Sequence, residues 1–196
     1  MAAAKESDAD LARALLAGNP AAFDRFVEVF QAKVFQYSFL MCGQREDAEE
    51  VAQEALMKVF ESLDQLRDPN HVKAWVFRIA KNACLMKRRK SIFAPPHELS
   101  LDEPAAGTFQ VPDPGDLPDR QLFDSEASDR LRLAITELPE TLRSVVLLRD
   151  LEELSTEEAA GILGVTTDVV KTRLHRGRLA LREKLTPVLR RSSVEL

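Results

Sequence analysis

Cysteine is almost absent from this chain of 196 residues: Cys42 and Cys84 are the only two, far apart and without a Cys-x-x-Cys pairing. That excludes a disulfide framework and a zinc ribbon, and it fits a reducing compartment. Histidine is scarce as well. His71, His97 and His175 show no metal-ligand spacing among themselves or with the cysteines, and the seven scattered glycines form no phosphate-cradling loop. The sequence therefore offers no catalytic residue, no metal site and no cofactor. No run approaches the roughly 18 apolar residues that span a bilayer, and the opening MAAAKESDADLARALLAG lacks the apolar stretch of a secretory leader. These absences predict a cytoplasmic protein without membrane insertion, one that acts by binding.

What is present is charge, unevenly spread. The chain is 45% hydrophobic and 30% charged with a net charge of −5, a composition able to bury a core. Residues 92–127 hold six of the ten prolines and eight acids against the single base Arg120, so the remainder of the chain is net positive. Proline and like-charge repulsion both oppose compact helix packing, and the stretch reads as an acidic tether.

On either side the apolar residues recur at helical spacing, with no alternating strand pattern. Helices are expected over 8–17, 21–41, 45–63 and 71–90, with GNP, CGQ and RDPN as turn signals. After the tether, SDRLRLAITELP reads as a helix stopped by Pro139, and ETLRSVVLLRDLEEL as a second. STEE, beginning at Ser155, offers a capping box for a short helix that ends at Gly164. A longer helix starts near Thr166 or Thr167 and is expected to run to about Leu185, ahead of Pro187. The expected fold is all-α with two small helical domains: an N-terminal bundle (1–91), the acidic Pro-rich linker (92–127), and a four-helix C-terminal domain (128–196).

The last helix carries the first functional signal. DVVKTRLHRGRLALREK holds six Lys/Arg and a His against two acids, whereas a solvated helix interleaves both signs. A short helix, a turn at Gly164 and a longer basic helix make a helix-turn-helix, whose second helix enters the DNA major groove. At 100° per residue Val170, Leu174, Gly177 and Leu181 fall on the inward side. Val169, Thr172 and Arg176 then point outward, flanked by Lys171, Arg173, His175 and Arg178 as cationic shoulders for the two phosphate strands.

A second basic stretch, HVKAWVFRIAKNACLMKRRK, has seven Lys/Arg and no acid. Its helical wheel places Val72, Trp75, Val76, Ile79, Ala83 and Met86 inward and Lys73, Phe77, Lys81 and Arg88 outward. A basic stripe with an interleaved aromatic suits unstacked single-stranded DNA, the aromatic stacking on a base while the cations hold phosphate. A merely solvated basic face is the competing reading.

At this point LPETLRSVVLLRDLEELSTEEAAGILGVTTDVVKTRLHRGRLALREKL resembles the fourth domain of bacterial sigma factors of the extracytoplasmic-function (ECF) group. REDAEEVAQEALMKVFESL and VKAWVFRIAKNACLMKRRK resemble the second domain of the same group, in the same order. The resemblance implies a transcription initiation factor that binds core RNA polymerase and recognises upstream (−35) and downstream (−10) promoter DNA, first as duplex and then as a melted single strand. It assigns Lys171, Thr172, His175 and Arg176 as readers of the upstream element, with Arg173 and Arg178 as phosphate contacts. In the second domain Asn82, the outward basic residues and the loop 66–71 would hold an extruded base. AQEAL matches the polymerase-binding segment, placing Asp47, Glu50, Gln53 and Glu54 on the polymerase, with Leu56 and Met57 as apolar contacts. A cognate anti-sigma factor is implied as well.

Two positions depart from the family pattern. Glu153 stands where glycine is frequent, and Asp168 replaces a frequent glycine at the start of the recognition helix, where it favours the helix dipole but repels phosphate. An autonomous helix-turn-helix repressor normally needs a dimer matched to a palindrome, whereas two unlike DNA-facing helices suit two unlike elements. A sigma-like mimic that binds only a regulator need not keep cations on both faces.

Overall fold

The computed structural model describes residues 7–93 and 126–192, so all but the ends of the acidic tether lies outside the described residues. Among the described residues there is no strand. Among the described residues four α-helices precede the tether: α1 (Asp8–Leu16), α2 (Pro20–Cys42), α3 (Arg45–Glu61) and α4 (Val72–Phe93). Four more α-helices are described after it: α5 (Glu126–Thr136), α6 (Glu140–Val146), α7 (Thr156–Leu163) and α8 (Thr167–Ser192).

Local chemistry sets the boundaries. The Ser7 side chain accepts from the Asp10 N–H ahead of α1, and Asn19 accepts from Ala21 with Pro20 pre-set at the first position of α2. Gly43 ends α2 in the left-handed region at φ 81°, its N–H returning to the Phe39 carbonyl. Ser155 and Glu158 form the expected capping box, and Gly164 closes α7 at φ 67°. α8 continues past Pro187 to Ser192, further than the proline signal suggested; proline removes one backbone donor but its φ is helical.

α2 is the spine of the first half. Phe26 and Phe30 stack at 4.4 Å between centroids, and Tyr37 meets Phe77 of α4 edge-on at 5.4 Å. α3 packs on this spine through the buried residues Ala48, Val51, Ala52, Ala55, Leu56 and Val59. In the second half α8 lies over α6, and Gly177 marks the crossing. A Cβ there would sit 2.7 Å from Val146 Cγ2.

α6 does not run straight to residue 154 as its periodicity suggested. It widens at Leu147–Leu151, where the Glu152 N–H reaches back five residues to the Leu147 carbonyl at 2.9 Å. The chain then reverses through Glu153, a non-glycine residue at φ 53°. This is the position where the family pattern has glycine.

The two helical groups are docked on each other, an arrangement for which the sequence carries no local signal. Most of their buried apolar residues form one cluster running from Leu11 to Val170. Arg143 of α6 donates to the Met41 carbonyl at 3.0 Å and to the Leu40 carbonyl at 3.4 Å on the last turn of α2. It also donates to the carbonyls of Leu138, at 2.9 Å, and Thr136. Ion pairs of Lys73 with Glu152 at 3.6 Å and of Arg88 with Glu140, and a hydrogen bond of 3.1 Å between His71 Nδ1 and the Glu158 carboxylate, also join the two groups.

Candidate nucleic-acid interface

α8 turns its faces as its periodicity predicts except at Val169, expected outward and found half-buried. Val170 and Gly177 are buried and Leu174 and Leu181 half-buried against α6 and α7, leaving Lys171, Thr172, His175 and Arg176 exposed in a row. Val169 and Arg173 flank the row, half-buried. Arg178 is exposed but engaged: its guanidinium grips the Asp150 carboxylate with Nε at 3.0 Å and Nη2 at 2.5 Å, and that contact holds the arginine above its already high range. Asp168 stands at the first turn of α8 with its carboxylate 3.5 Å from Lys171. The exposed row presents hydrogen-bond donors at the spacing of a major-groove reading helix.

α4 buries a wider face than its expected single stripe. Phe77, expected on the outer face, is fully buried against Tyr37, and Met86, expected inside, is 49% exposed. The reason is that α4 is covered on two sides, by α2 and α3 and again by α7, so its buried surface is wider than one stripe. Val72, Ala74, Val76, Phe77, Ala80, Ala83 and Cys84 make up that surface. Arg78, Asn82 and Arg89 are exposed, and Lys81 is half-buried.

Trp75, unlike Phe77, is only partly buried. It lines an open groove of about 1210 Å³ between α3, α4 and α7, together with Arg78, Ile79, Asn82 and Met86. Leu66, Arg67, Asp68 and His71 of the preceding loop line the same groove, so Asn82 and the 66–71 loop do come together. The loop is braced: the Asp68 carboxylate accepts from the Asn70 N–H at 2.9 Å, and Arg13 donates to the Asn70 side-chain oxygen at 2.9 Å. Trp75 and Arg78 are the groove residues that sequence reasoning missed. The signal available was Trp75's place at the edge of the apolar stripe.

Of the cations expected on this face, Lys73 is one-quarter exposed and faces Glu152, and Arg88 faces Glu140. Both acids belong to the second helical group. Glu152 is 3% exposed, and burial pushes its carboxyl up to about 7, against the opposing pull of Lys73 and Lys33.

On α3, Glu54 and Met57 are exposed and Gln53 half-exposed. Leu56, expected as an apolar contact for a partner, is instead buried at 6% exposure, because it packs toward α2 and α4. Asp47 and Glu50 share the Lys87 ammonium, with Asp47 at 3.1 Å, which holds that lysine above its usual range. Among the described residues no group of His, Cys, Asp or Glu is placed to hold a metal ion, and no helix is long and apolar enough to cross a membrane.

Comparison with known proteins matches these two helical groups separately. Residues 26–91 match the family described as Sigma-70 region 2, and residues 128–181 match Sigma-70, region 4. The ECF RNA polymerase sigma factor SigW of Bacillus subtilis is 33% identical over 174 residues, covering 86% of this chain and 91% of that protein. The ECF RNA polymerase sigma-E factor of Escherichia coli K12 is 30% identical over 185 residues, covering 89% of this chain and 92% of that protein. The fold resembles CnrH, solved with the cytosolic domain of CnrY, at a TM-score of 0.62 and 23% identity over 92% of this chain and 97% of that one. It also resembles RpoE of Bartonella quintana, solved with the anti-sigma factor NepR, at a TM-score of 0.59 and 22% identity over 84% of this chain and 96% of that one.

Proposed function

The chain belongs to the extracytoplasmic-function group of RNA polymerase sigma factors, and we propose that it brings core RNA polymerase to promoters through three surfaces of this fold. The exposed row Lys171, Thr172, His175 and Arg176 reads the upstream element as duplex, with Val169 against a thymine methyl and Arg173 and Arg178 on phosphate. The groove of α4 receives the melted downstream element. There Asn82 hydrogen-bonds an extruded base, Trp75 replaces Phe77 as the stacking surface, and Arg78 and Lys81 hold phosphate. The face of α3 with Asp47, Glu50, Gln53, Glu54 and Met57 meets the polymerase.

The functional division follows the helical groups, with residues 1–91 for polymerase binding and melting, 92–127 as linker, and 128–196 for upstream recognition. The protein works in the cytoplasm, and bond-making is left to the polymerase. Docking of the two groups holds Lys73 and Arg88 in ion pairs with Glu152 and Glu140. We read this docked form as the resting one, because those cations reach DNA phosphate only when the second group moves away. Relatives of this fold have been solved with CnrY and with the anti-sigma factor NepR, and an anti-sigma protein is the partner proposed to hold this chain at rest.

The observation that carries the reading is the exposed, uniformly polar row of α8 on a chain that also carries region 2. Run-off transcription with purified core enzyme on a promoter library tests it. RNA should appear only when chain and core are both present, from templates that share two spaced elements. Tight binding of the chain alone to one palindromic site, with no dependence on core, would replace this reading with that of a repressor.

A further inference from the structure

Asp150 and Arg178 are 28 residues apart in the chain and meet side by side. The guanidinium donates from Nε at 3.0 Å and from Nη2 at 2.5 Å to the two carboxylate oxygens. Such a two-point pairing fixes the plane of the guanidinium as well as its place, which a single contact does not. Asp150 belongs to the widened turn Leu147–Leu151 that follows α6. A turn closed by an i→i+5 bond sets its side chains at angles a plain α-helix would not give, and such turns often accompany functional sites. The Arg178 side chain is 59% exposed and that of Asp150 32%, so the pair stands at the surface rather than in the core.

α8 sets the direction in which this pair faces. At 100° per residue Arg178 falls about 20° from Lys171, two turns and roughly 10 Å along the same side. It continues the exposed line of Lys171 and His175 toward the middle of the helix. Asp150 takes Nε and Nη2, and the Nη1 edge is left for a ligand. The pair of Asp168 with Lys171 is a contrast: at 3.5 Å, one turn apart and with both side chains more than half exposed, it fixes little. Nor does α8 depend on Asp150 for its seat. Val170 is buried, Gly177 crosses α6 at Val146, and Lys184 meets Glu137.

We propose that Asp150 is a positioning residue for upstream-element recognition: it holds the Arg178 guanidinium in the orientation in which its Nη1 edge meets a DNA phosphate. The proposal rests on α8 being the helix that reads that element. A guanidinium on an untethered side chain gives up many rotamers when it meets DNA, whereas one already forked to Asp150 has given them up on folding. An acid beside a polyanion should by itself repel it. Positioning and repulsion therefore act on affinity with opposite sign, and the sign is measurable.

The test uses the full-length chain bound to core polymerase and the upstream duplex that the parent holoenzyme selects from a randomised library. Asp150→Ala should weaken binding to that duplex about two- to tenfold, the range expected when one long side chain must be ordered on binding. Melting temperature should stay near that of the parent, and the salt dependence should be unchanged because Arg178 keeps its charge. Asp150→Glu should recover most of the loss, and Asp150→Asn, which keeps the shape and one acceptor, should fall between. Arg178→Ala should weaken binding and also flatten the salt dependence by about one counterion. Adding Asp150→Ala to it should cause no further loss. Tighter binding by Asp150→Ala, the behaviour of an acid that only repels, would overturn the proposal. So would a fall in melting temperature shared by Asp150→Ala and Asp150→Asn with binding restored on cooling, which would reduce the pair to a brace for α8. If Arg178→Ala weakens binding and Asp150→Ala does not, the proposal alone falls; if Arg176→Ala and Arg178→Ala both leave binding unchanged, the reading of α8 beneath it falls too.

Discussion

The Glu152 carboxylate, buried in the second helical group, lies 3.6 Å from the ammonium of Lys73 in the first. The pairing does not fully offset burial. The carboxyl is pushed up to about 7 by desolvation, with Asp8 adding to the push and Lys73 and Lys33 opposing it. An unfolded glutamate releases its proton near pH 4.3, so between about 4.3 and 7 the folded chain holds a proton that the unfolded chain has lost. The stability contributed by the protonated form is complete below that window and is lost as pH rises through 7. Glu152→Gln should remove this fall, leaving the variant up to roughly 3 kcal/mol more stable than the parent at pH 8 and equal to it at pH 4. Urea unfolding across pH 4–8 measures this, and parallel slopes for both chains would rule it out.

Glu153 is exposed and sits at φ 53°, where a side chain is strained and glycine is not. Glu153→Gly should raise stability by about 1 kcal/mol, and Glu153→Ala should not. A gain shared by alanine would point to the carboxylate rather than to the backbone.

Gly177→Ala tests the crossing of α6 and α8. Helix propensity favours alanine by about 1 kcal/mol, but the new methyl meets the stiff Val146 side chain, and overpacking of this kind costs about 1–3 kcal/mol. A net loss of melting temperature is expected, recovered when Val146→Ala is added. No recovery in the double variant would place the strain elsewhere.

Trp75 and Phe77 are two residues apart on α4 and should part company in assay. Trp75→Ala should leave melting close to that of the parent while reducing promoter opening, read by permanganate reactivity of unpaired thymines. Phe77→Ala should lower stability by about 3–5 kcal/mol through loss of a fully buried ring. Normal opening by Trp75→Ala would remove it from the stacking role.

Arg176→Ala should weaken upstream-element binding by about 1–3 kcal/mol and relax base preference at one position. Binding across single-base variants at fixed salt gives the profile. A uniform loss at all positions would make Arg176 a phosphate contact.

The elements that were legible in the sequence are those fixed by near neighbours. The Ser155/Glu158 capping box, the Gly164 stop and the inward side of α8 follow from residues three or four apart, and each is seen. The departure at Glu153 likewise marked the one described non-glycine residue with positive φ. What escaped was set by distant partners. A helical wheel assumes one buried stripe, and α4 has a wider one because α7 covers it as well, so Phe77 and Trp75 exchanged roles. Leu56 was read for its motif position, while its packing against α2 and α4 decides its burial. The meeting of Lys73 with Glu152 has no local trace at all.

The single apolar cluster from Leu11 to Val170 makes the two groups one cooperative unit for as long as they stay docked. Heat applied to the docked chain meets one transition, since neither group can open without exposing part of the other's core. A partner that parts them divides that transition in two, each half carrying only the surface it buries alone. The shape of a calorimetric trace then reports the fraction of open chains, and a ligand that holds the groups together is recognised by its sharpening of a single peak.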